Sequence, residues 1–239
     1  MKTTETPKTE HRTCDQCGTD YEHEPFSLID GGHDMFANCH TCDKCAEILQ
    51  AKSAEEKRIE SAKNEFERVV PPSYRKTDPD HAGFNRYLWT QLSRWRPDGG
   101  DSWLGLVGET GRSKTRCLAL IAKRLCWEGK RLEWCTSTGF QWAARRQFHD
   151  QDGSSACRYL QDWKTTPVLI LDDLGKQTWT PVVESEFFDL LEHRTSRELL
   201  TLWSANTHPE DMIGAKQLSD DRGAPIVGRL IDNSEIILV

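Results

Sequence analysis

A glycine-framed loop set between an apolar run and a helix-forming stretch constrains this chain more than any other feature. Residues 103–107, Trp-Leu-Gly-Leu-Val, lead directly into Gly108-Glu109-Thr110-Gly111-Arg112-Ser113-Lys114-Thr115, and residues 114–127 then read as a helix. The spacing follows G-x-x-x-x-G-K-[ST]. In that pattern backbone N–H groups surround a polyphosphate, the lysine reaches its outer phosphates and the hydroxyl ligates magnesium. Gly108, Lys114 and Thr115 fit their places, while Ser113 stands where the second glycine is expected. Glycine there lets the backbone approach phosphate without a Cβ, so the serine is a genuine departure. Gly111, two residues earlier, keeps the loop flexible. A strand before and a helix after are the context the motif requires.

A second constraint lies further along. Pro167-Val168-Leu169-Ile170-Leu171-Asp172-Asp173-Leu174-Gly175 is a buried strand that ends in two acids. A carboxylate at the end of such a strand holds magnesium through its water shell, which is the place of Asp172. Asp173 follows where a catalytic base would stand; it is one methylene shorter than glutamate and reaches a water less well. Loop and strand together predict ATP and Mg2+ as ligands, with Thr115 and Asp172 on the metal. The nucleotide-binding set is Gly108, Glu109, Thr110, Gly111, Arg112, Ser113, Lys114, Thr115, Arg116 and Asp172.

From residue 78 onward strand and helix alternate. Apolar runs at 103–107, 132–135, 168–171, 199–203 and 236–239 are separated by helical stretches such as 114–127 and 182–194. This alternation predicts an α/β fold with a mostly parallel sheet flanked by helices. Residues 51–70 combine strong helix formers with balanced charge and a thin apolar stripe, and predict an exposed connecting helix that Pro71-Pro72 ends. The expected organisation is a cysteine-rich module over 1–50, a helical linker over 51–77 and an ATPase core over 78–239.

Five of the nine cysteines crowd into residues 14–45. Cys14-x2-Cys17 and Cys42-x2-Cys45 have the spacing of two zinc knuckles, each presenting two thiolates to one tetrahedral ion. Cys39-x2-Cys42 is a second legal pair, and His40 and His33 are further alternatives. Four thiolates leave no open coordination position, so Zn2+ here is structural, and a module this small draws its folding energy from the metal. Cys117, Cys126, Cys135 and Cys157 sit among apolar residues and read as reduced core or boundary positions.

With 36% hydrophobic and 29% charged residues and no long apolar run, the chain reads as soluble, without a membrane span. Met1-Lys2-Thr3-Thr4-Glu5 has no apolar signal region, which predicts a cytoplasmic protein. A net charge of −7 removes any global attraction to nucleic acid, so contact with DNA would need a local basic patch.

Over residues 71–239 these stretches resemble the DnaC/IstB-like branch of AAA+ ATPases, which comprises helicase loaders, transposition helpers and phage relatives. The resemblance rests on residues 108–116, on Leu-Asp-Asp-Leu-Gly-Lys at 171–176, on residues 187–194, on Leu202-Trp203-Ser204-Ala205-Asn206 and on Gly228-Arg229-Leu230. It implies that Asn206 is the sensor that orients the attacking water or contacts the γ phosphate. It also implies that Arg229 reaches the nucleotide of a neighbouring subunit, with Arg222 and Arg194 as rival candidates. Tyr74 falls where relatives contact the base. The chain ends within the last core strand, which implies no helical lid. The partners implied are a replicative DNA helicase, single-stranded DNA and further copies of the chain once ATP binds. Residues 140–148, with Arg145 and Arg146 beside aromatics, are the candidate DNA surface, the alternative being a solvated basic helix edge. Slow ATP hydrolysis coupled to helicase loading is the expected function. A transposition helper and a non-catalytic nucleotide-binding adaptor are its alternatives.

Overall fold

The computed structural model describes residues 9–24, 40–97, 103–147, 154–213 and 218–239. The chain divides into two compact units, Met1–Glu60 and Ser61–Val239. In the first, strand β1 (Glu10–Thr13) pairs antiparallel with β2 (Asp20–His23). The turn between them closes on Gly18, whose φ of 71° suits glycine; its N–H donates to the Cys14 carbonyl at 2.8 Å. Helix α1 (Asp43–Val69) contains the division. Its only buried residues are Ala62, Phe66 and Val69, on the thin stripe near its end. There Glu65 accepts from the Leu132 N–H at 3.0 Å and Arg68 donates to the Leu132 carbonyl at 2.8 Å, which anchors the helix end within the second unit.

The second unit is built on five parallel strands: β3 (Trp103–Val107), β4 (Leu132–Thr136), β5 (Val168–Leu174), β6 (Leu200–Ala205) and β7 (Ser234–Leu238). They lie in the order β4-β5-β6-β3-β7. Both faces of β3 are covered, so its sequence is continuously apolar, yet its residues still alternate. Trp103 and Val107 join one core cluster, Leu104 and Leu106 the other. Gly105 faces Trp203 on β6 so closely that a Cβ would fall 2.3 Å from the indole. Helices α2 (Arg86–Leu92) and α3 (Lys114–Trp127) contribute to the cluster holding Leu104. Helices α4 (Ser137–Arg146), α5 (Ser154–Thr165), α6 (Pro181–Ser196) and α7 (Asp220–Asp232) contribute to the cluster holding Trp103.

Arg194, one of the arginines offered as a contact to a neighbouring subunit, is withdrawn from that role. It is 0% exposed. Its guanidinium donates to the carbonyls of Trp163, Thr166 and Leu200 at 2.8, 2.9 and 2.5 Å and to Thr201 Oγ1 at 2.9 Å. Burial pulls its pKa down to about 9, still above neutrality, so it stays charged and its acceptors hold that charge. It therefore ties the end of α5 to α6 and β6. Arg194→Leu leaves those acceptors without a donor, and a loss of about 3–5 kcal/mol is expected in a denaturant melt. A melt superimposable on the parent's would refute the role.

Candidate nucleotide site and cysteine cluster

The β3 strand lies beside β6 and β7 and away from β4, which follows it in sequence, so a crevice opens beyond the carboxyl ends of the strands. The glycine-framed loop lies at that point. Gly108 has φ 154°, and a Cβ on it would sit 2.2 Å from the Val239 carbonyl oxygen, so no larger residue fits. Ser113 adopts φ 68°, ψ 16° immediately before α3. A left-handed non-glycine residue costs about 1–2 kcal/mol. The hydroxyl gains a partner in exchange, because Ser113 Oγ accepts from the Asn85 backbone N–H at 3.1 Å. The serine thus ties the loop to the N-terminus of α2, where the Asn85 side chain caps the helix by accepting from the Leu88 N–H.

Lys114 turns back across the loop. Its Nζ donates to the carbonyls of Gly108 and Glu109 at 2.5 and 2.8 Å and to Asn206 Oδ1 at 3.0 Å. Burial lowers its pKa, while the charges of Asp173 and Asp172 act the other way. Asn206 Nδ2 donates to Thr110 Oγ1 at 3.3 Å. Thr115 Oγ1 donates to Asp172 Oδ1 at 2.9 Å, and Ser204 Oγ donates to the same oxygen at 2.6 Å. Burial raises the pKa of Asp172, against the hydrogen bonds from Ser204 and Thr115. A dication at this oxygen would favour the ionised form, and hydroxyl plus carboxylate is a donor set that suits Mg2+. The cleft here is about 320 Å3, open to one side, and lined by Tyr74, Gly83, residues 110–116, Asp173, Lys176 and Asn206. Glu109 turns outward to pair with Arg112 at 3.1 Å and contributes only its backbone.

Within β5 Asp173 takes φ 62°, where the β5–β6 pairing shifts register. Its N–H donates to Ser204 Oγ at 2.9 Å and its Oδ2 accepts from Lys176 Nζ at 2.8 Å. Ser204 and Lys176 are the residues that sequence reasoning missed. Ser204 stands near the end of β6, two positions before Asn206, and that spacing of polar groups at a strand end was the available signal. Lys176 carried no signal, because its partner emerges only from the turn at Asp173.

Arg229, on α7, does not line the cleft of its own chain. It pairs with Glu192 and lies 4.4 Å from the Phe188 ring centroid. Arg222 is exposed, and its Nη1 donates to the Pro181 carbonyl at 2.8 Å. On α4, Trp142 is half exposed beside Arg145 in a shallow groove of about 430 Å3, and its ring meets Tyr159 edge-on at 6.4 Å. Phe148 lies outside the described residues.

In the first unit the sulfurs of Cys14, Cys17, Cys42 and Cys45 lie within 4.8 Å of one another, with Cys17 and Cys42 3.7 Å apart. Zinc–sulfur bonds of about 2.3 Å in a tetrahedron place sulfurs roughly 3.8 Å apart, so the cluster fits one zinc. Cys14 and Cys17 follow β1 and enter its turn; Cys42 and Cys45 flank the start of α1. The backbone N–H of Cys42 lowers the Cys14 thiol to about 6, whereas the neighbouring Cys17 and Cys42 push Cys45 up to about 12. Four thiols this close cannot all ionise without a cation among them. Cys39 and His33 lie outside the described residues. Elsewhere, burial pushes Cys117 and Cys126 up to about 12, as inert core thiols require.

No family model matches this chain. Over 137 residues it is 29% identical to the replicative helicase loader DnaI of Bacillus subtilis (strain 168). That match covers 57% of this chain and 43% of the Bacillus protein, less than half of its length. Among solved structures, the DnaC helicase loader superposes with a TM-score of 0.51 at 20% identity, covering 71% of this chain and 99% of that one. The replication initiator DnaA bound to AMPPCP and single-stranded DNA superposes with a TM-score of 0.55 at 16% identity, covering 71% and 50%. In sequence this chain is similar to the DnaI helicase loader, and in fold its parallel-sheet core is similar to those of the DnaC helicase loader and DnaA.

Proposed function

We propose that this protein is a magnesium-ATP-dependent switch that delivers a replicative DNA helicase to single-stranded DNA in the cytoplasm, hydrolysing ATP slowly. The carrying observation is the meeting of Lys114, Thr115, Asp172, Asp173 and Asn206 at one end of the parallel sheet. The loader reading rests on the likeness to DnaI. Among the described residues no helix is long and apolar enough to cross a membrane.

In this reading the N–H groups of residues 110–115 cradle the phosphates, and Lys114 exchanges its carbonyl partners for phosphate oxygens. Magnesium, held by Thr115 and Asp172, supplies charge neutralisation at the outer phosphates. Asp173 accepts the proton of a water oriented by Asn206. The water oxygen bonds to the γ phosphorus, the bond to the β–γ bridging oxygen breaks, and its electron pair leaves on ADP. Asp173 is one methylene shorter than glutamate, which supports slow turnover. The same observation favours a second reading, a nucleotide-binding adaptor that does not hydrolyse ATP, and a single-turnover assay separates the two. Trp142 and Arg145 offer a stacking face and a phosphate partner to single-stranded DNA. The zinc module is assigned to docking the helicase or DNA.

The test mixes the purified protein with the replicative helicase of its own cell, in ATP or ADP, on circular single-stranded DNA. ATP-dependent association and transfer of the helicase onto the circle are expected. No association in either nucleotide removes the loader reading.

Hydrolysis is assigned to a pair of subunits, with Arg229 exchanging Glu192 for the γ phosphate of its neighbour. A cation placed where charge develops acts on rate more than on affinity. Arg229→Ala and Lys114→Ala chains, each nearly inactive alone, are expected to regain part of the parent rate when mixed, since one interface then joins an intact loop to an intact arginine. No recovery despite co-assembly would argue against the trans role, and full activity of Arg229→Ala alone would transfer it to Arg222.

A further inference from the structure

Lys176 is a cation inside the nucleotide cleft that the reading above leaves without a task. It lines the same cavity as the phosphate loop, yet its ammonium is spent on the one carboxylate that reading needs free, Asp173 Oδ2, at 2.8 Å. Both side chains are partly exposed, 46% for Lys176 and 35% for Asp173. A pair so exposed is weak and exchanges readily for a stronger partner. Lys176 is also near enough for its charge to oppose that of Lys114. Two lysines facing one cavity, with Asp173 between them in charge, leave room for an anion carrying more negative charge than a single carboxylate. Asp173 is held in a left-handed turn at φ 62°, and the next glycine, Gly175, has φ 93°, so Lys176 sits on a tight reversal that returns its side chain to the cleft.

We infer that Lys176 is a γ-phosphate sensor: with the cleft empty it clamps Asp173, and a triphosphate draws it away, freeing Asp173 Oδ2 as the water's proton acceptor. The inference rests on the nucleotide reading of the cleft and deepens it by making discrimination between triphosphate and diphosphate a property of one side chain. ADP, lacking the γ phosphate, leaves the clamp closed. Lys114 supplies the charge common to both nucleotides, whereas Lys176 supplies the charge that only ATP meets.

The test measures dissociation constants for magnesium-ATP and magnesium-ADP by calorimetry on the full chain and its variants. Lys176→Met is expected to weaken ATP about tenfold, the value of one charged hydrogen bond, and to leave ADP within about twofold. Lys176→Arg keeps the ATP preference. Asp173→Asn, which releases the clamp, is expected to tighten ATP severalfold, and that gain should vanish in the Asp173→Asn, Lys176→Met double variant. A gain that survives in the double variant would come from removing a negative charge near phosphate, and it would overturn the clamp. Equal losses of ATP and ADP in Lys176→Met, or no loss of either, would overturn the sensor. A parent chain that binds neither nucleotide would overturn the nucleotide reading itself and this inference with it. A parent that binds ATP beside an indifferent Lys176→Met would overturn this inference alone. Lys176 is largely solvated, so melting curves of its variants are expected to match the parent's.

Discussion

Lys114→Ala is expected to abolish magnesium-ATP binding, with affinity falling roughly 100-fold or more for loss of a charged donor to phosphate. The ammonium is already poised: it spans the carbonyls of Gly108 and Glu109 and the amide oxygen of Asn206 at 2.5–3.0 Å, so reaching phosphate needs a change of partners and no rebuilding of the loop. Burial lowers its pKa, and a polyanion beside it reverses that tendency. The acceptors it leaves lie at the rim of an open cleft where water can replace it, so stability changes little. Asp173→Ala supplies the contrast, since it removes the proton acceptor and leaves the phosphate contacts in place. It should bind ATP and fail to turn it over. Calorimetry beside a phosphate-release assay reads both. If Lys114→Ala binds ATP as tightly as the parent, the phosphate-loop assignment is wrong.

One tightly bound zinc per chain is the second large effect, lost in Cys17→Ser and Cys42→Ser together with the fold of the first unit. The physical ground is the absence of anything else to hold that unit. Among its described residues only Cys14 is buried, and the rest of the hairpin and of α1 up to Glu60 is partly or fully exposed. Such a module has no apolar core to oppose chain entropy, whereas a structural zinc contributes on the order of 10–16 kcal/mol in small metal-folded domains. Metal analysis of the purified variants should show the loss, and limited proteolysis should show the N-terminal 60 residues becoming labile. ATP binding, which belongs to the second unit, should persist. Cys39→Ser should keep its zinc. Full retention of metal in both the Cys17 and Cys42 variants would remove the assignment, and loss in Cys39→Ser would move it.

Local pattern carried a large part of this protein. The strand at 103–107 and the helix at 114–127 were legible because an apolar run, a glycine-bearing loop and a helix-forming stretch each obey rules of backbone sterics and side-chain period that act over a few residues. The strand before Asp172 was legible for the same reason, although it runs on to Leu174 because pairing with Ala205 resumes beyond the irregular turn. Paired cysteine spacing likewise carried its own geometry. What the sequence could not hold was which residues face one another. Lys114 meets Asn206, and Thr115 shares Asp172 with Ser204, because β6 lies between β3 and β5, an order set by how the crossovers pack on both faces of the sheet. Arg194 reads locally as a charged residue near a helix end, the description a subunit-bridging arginine would also fit. Only the packed fold shows it enclosed among carbonyls, since burial depends on elements distant in the chain. The sequence by itself determined the elements and their chemistry, through short-range sterics and periodicity. The tertiary structure alone decided the partnerships, including the pairing of Lys176 with Asp173, because long-range packing and the turn after β5 bring those charges together.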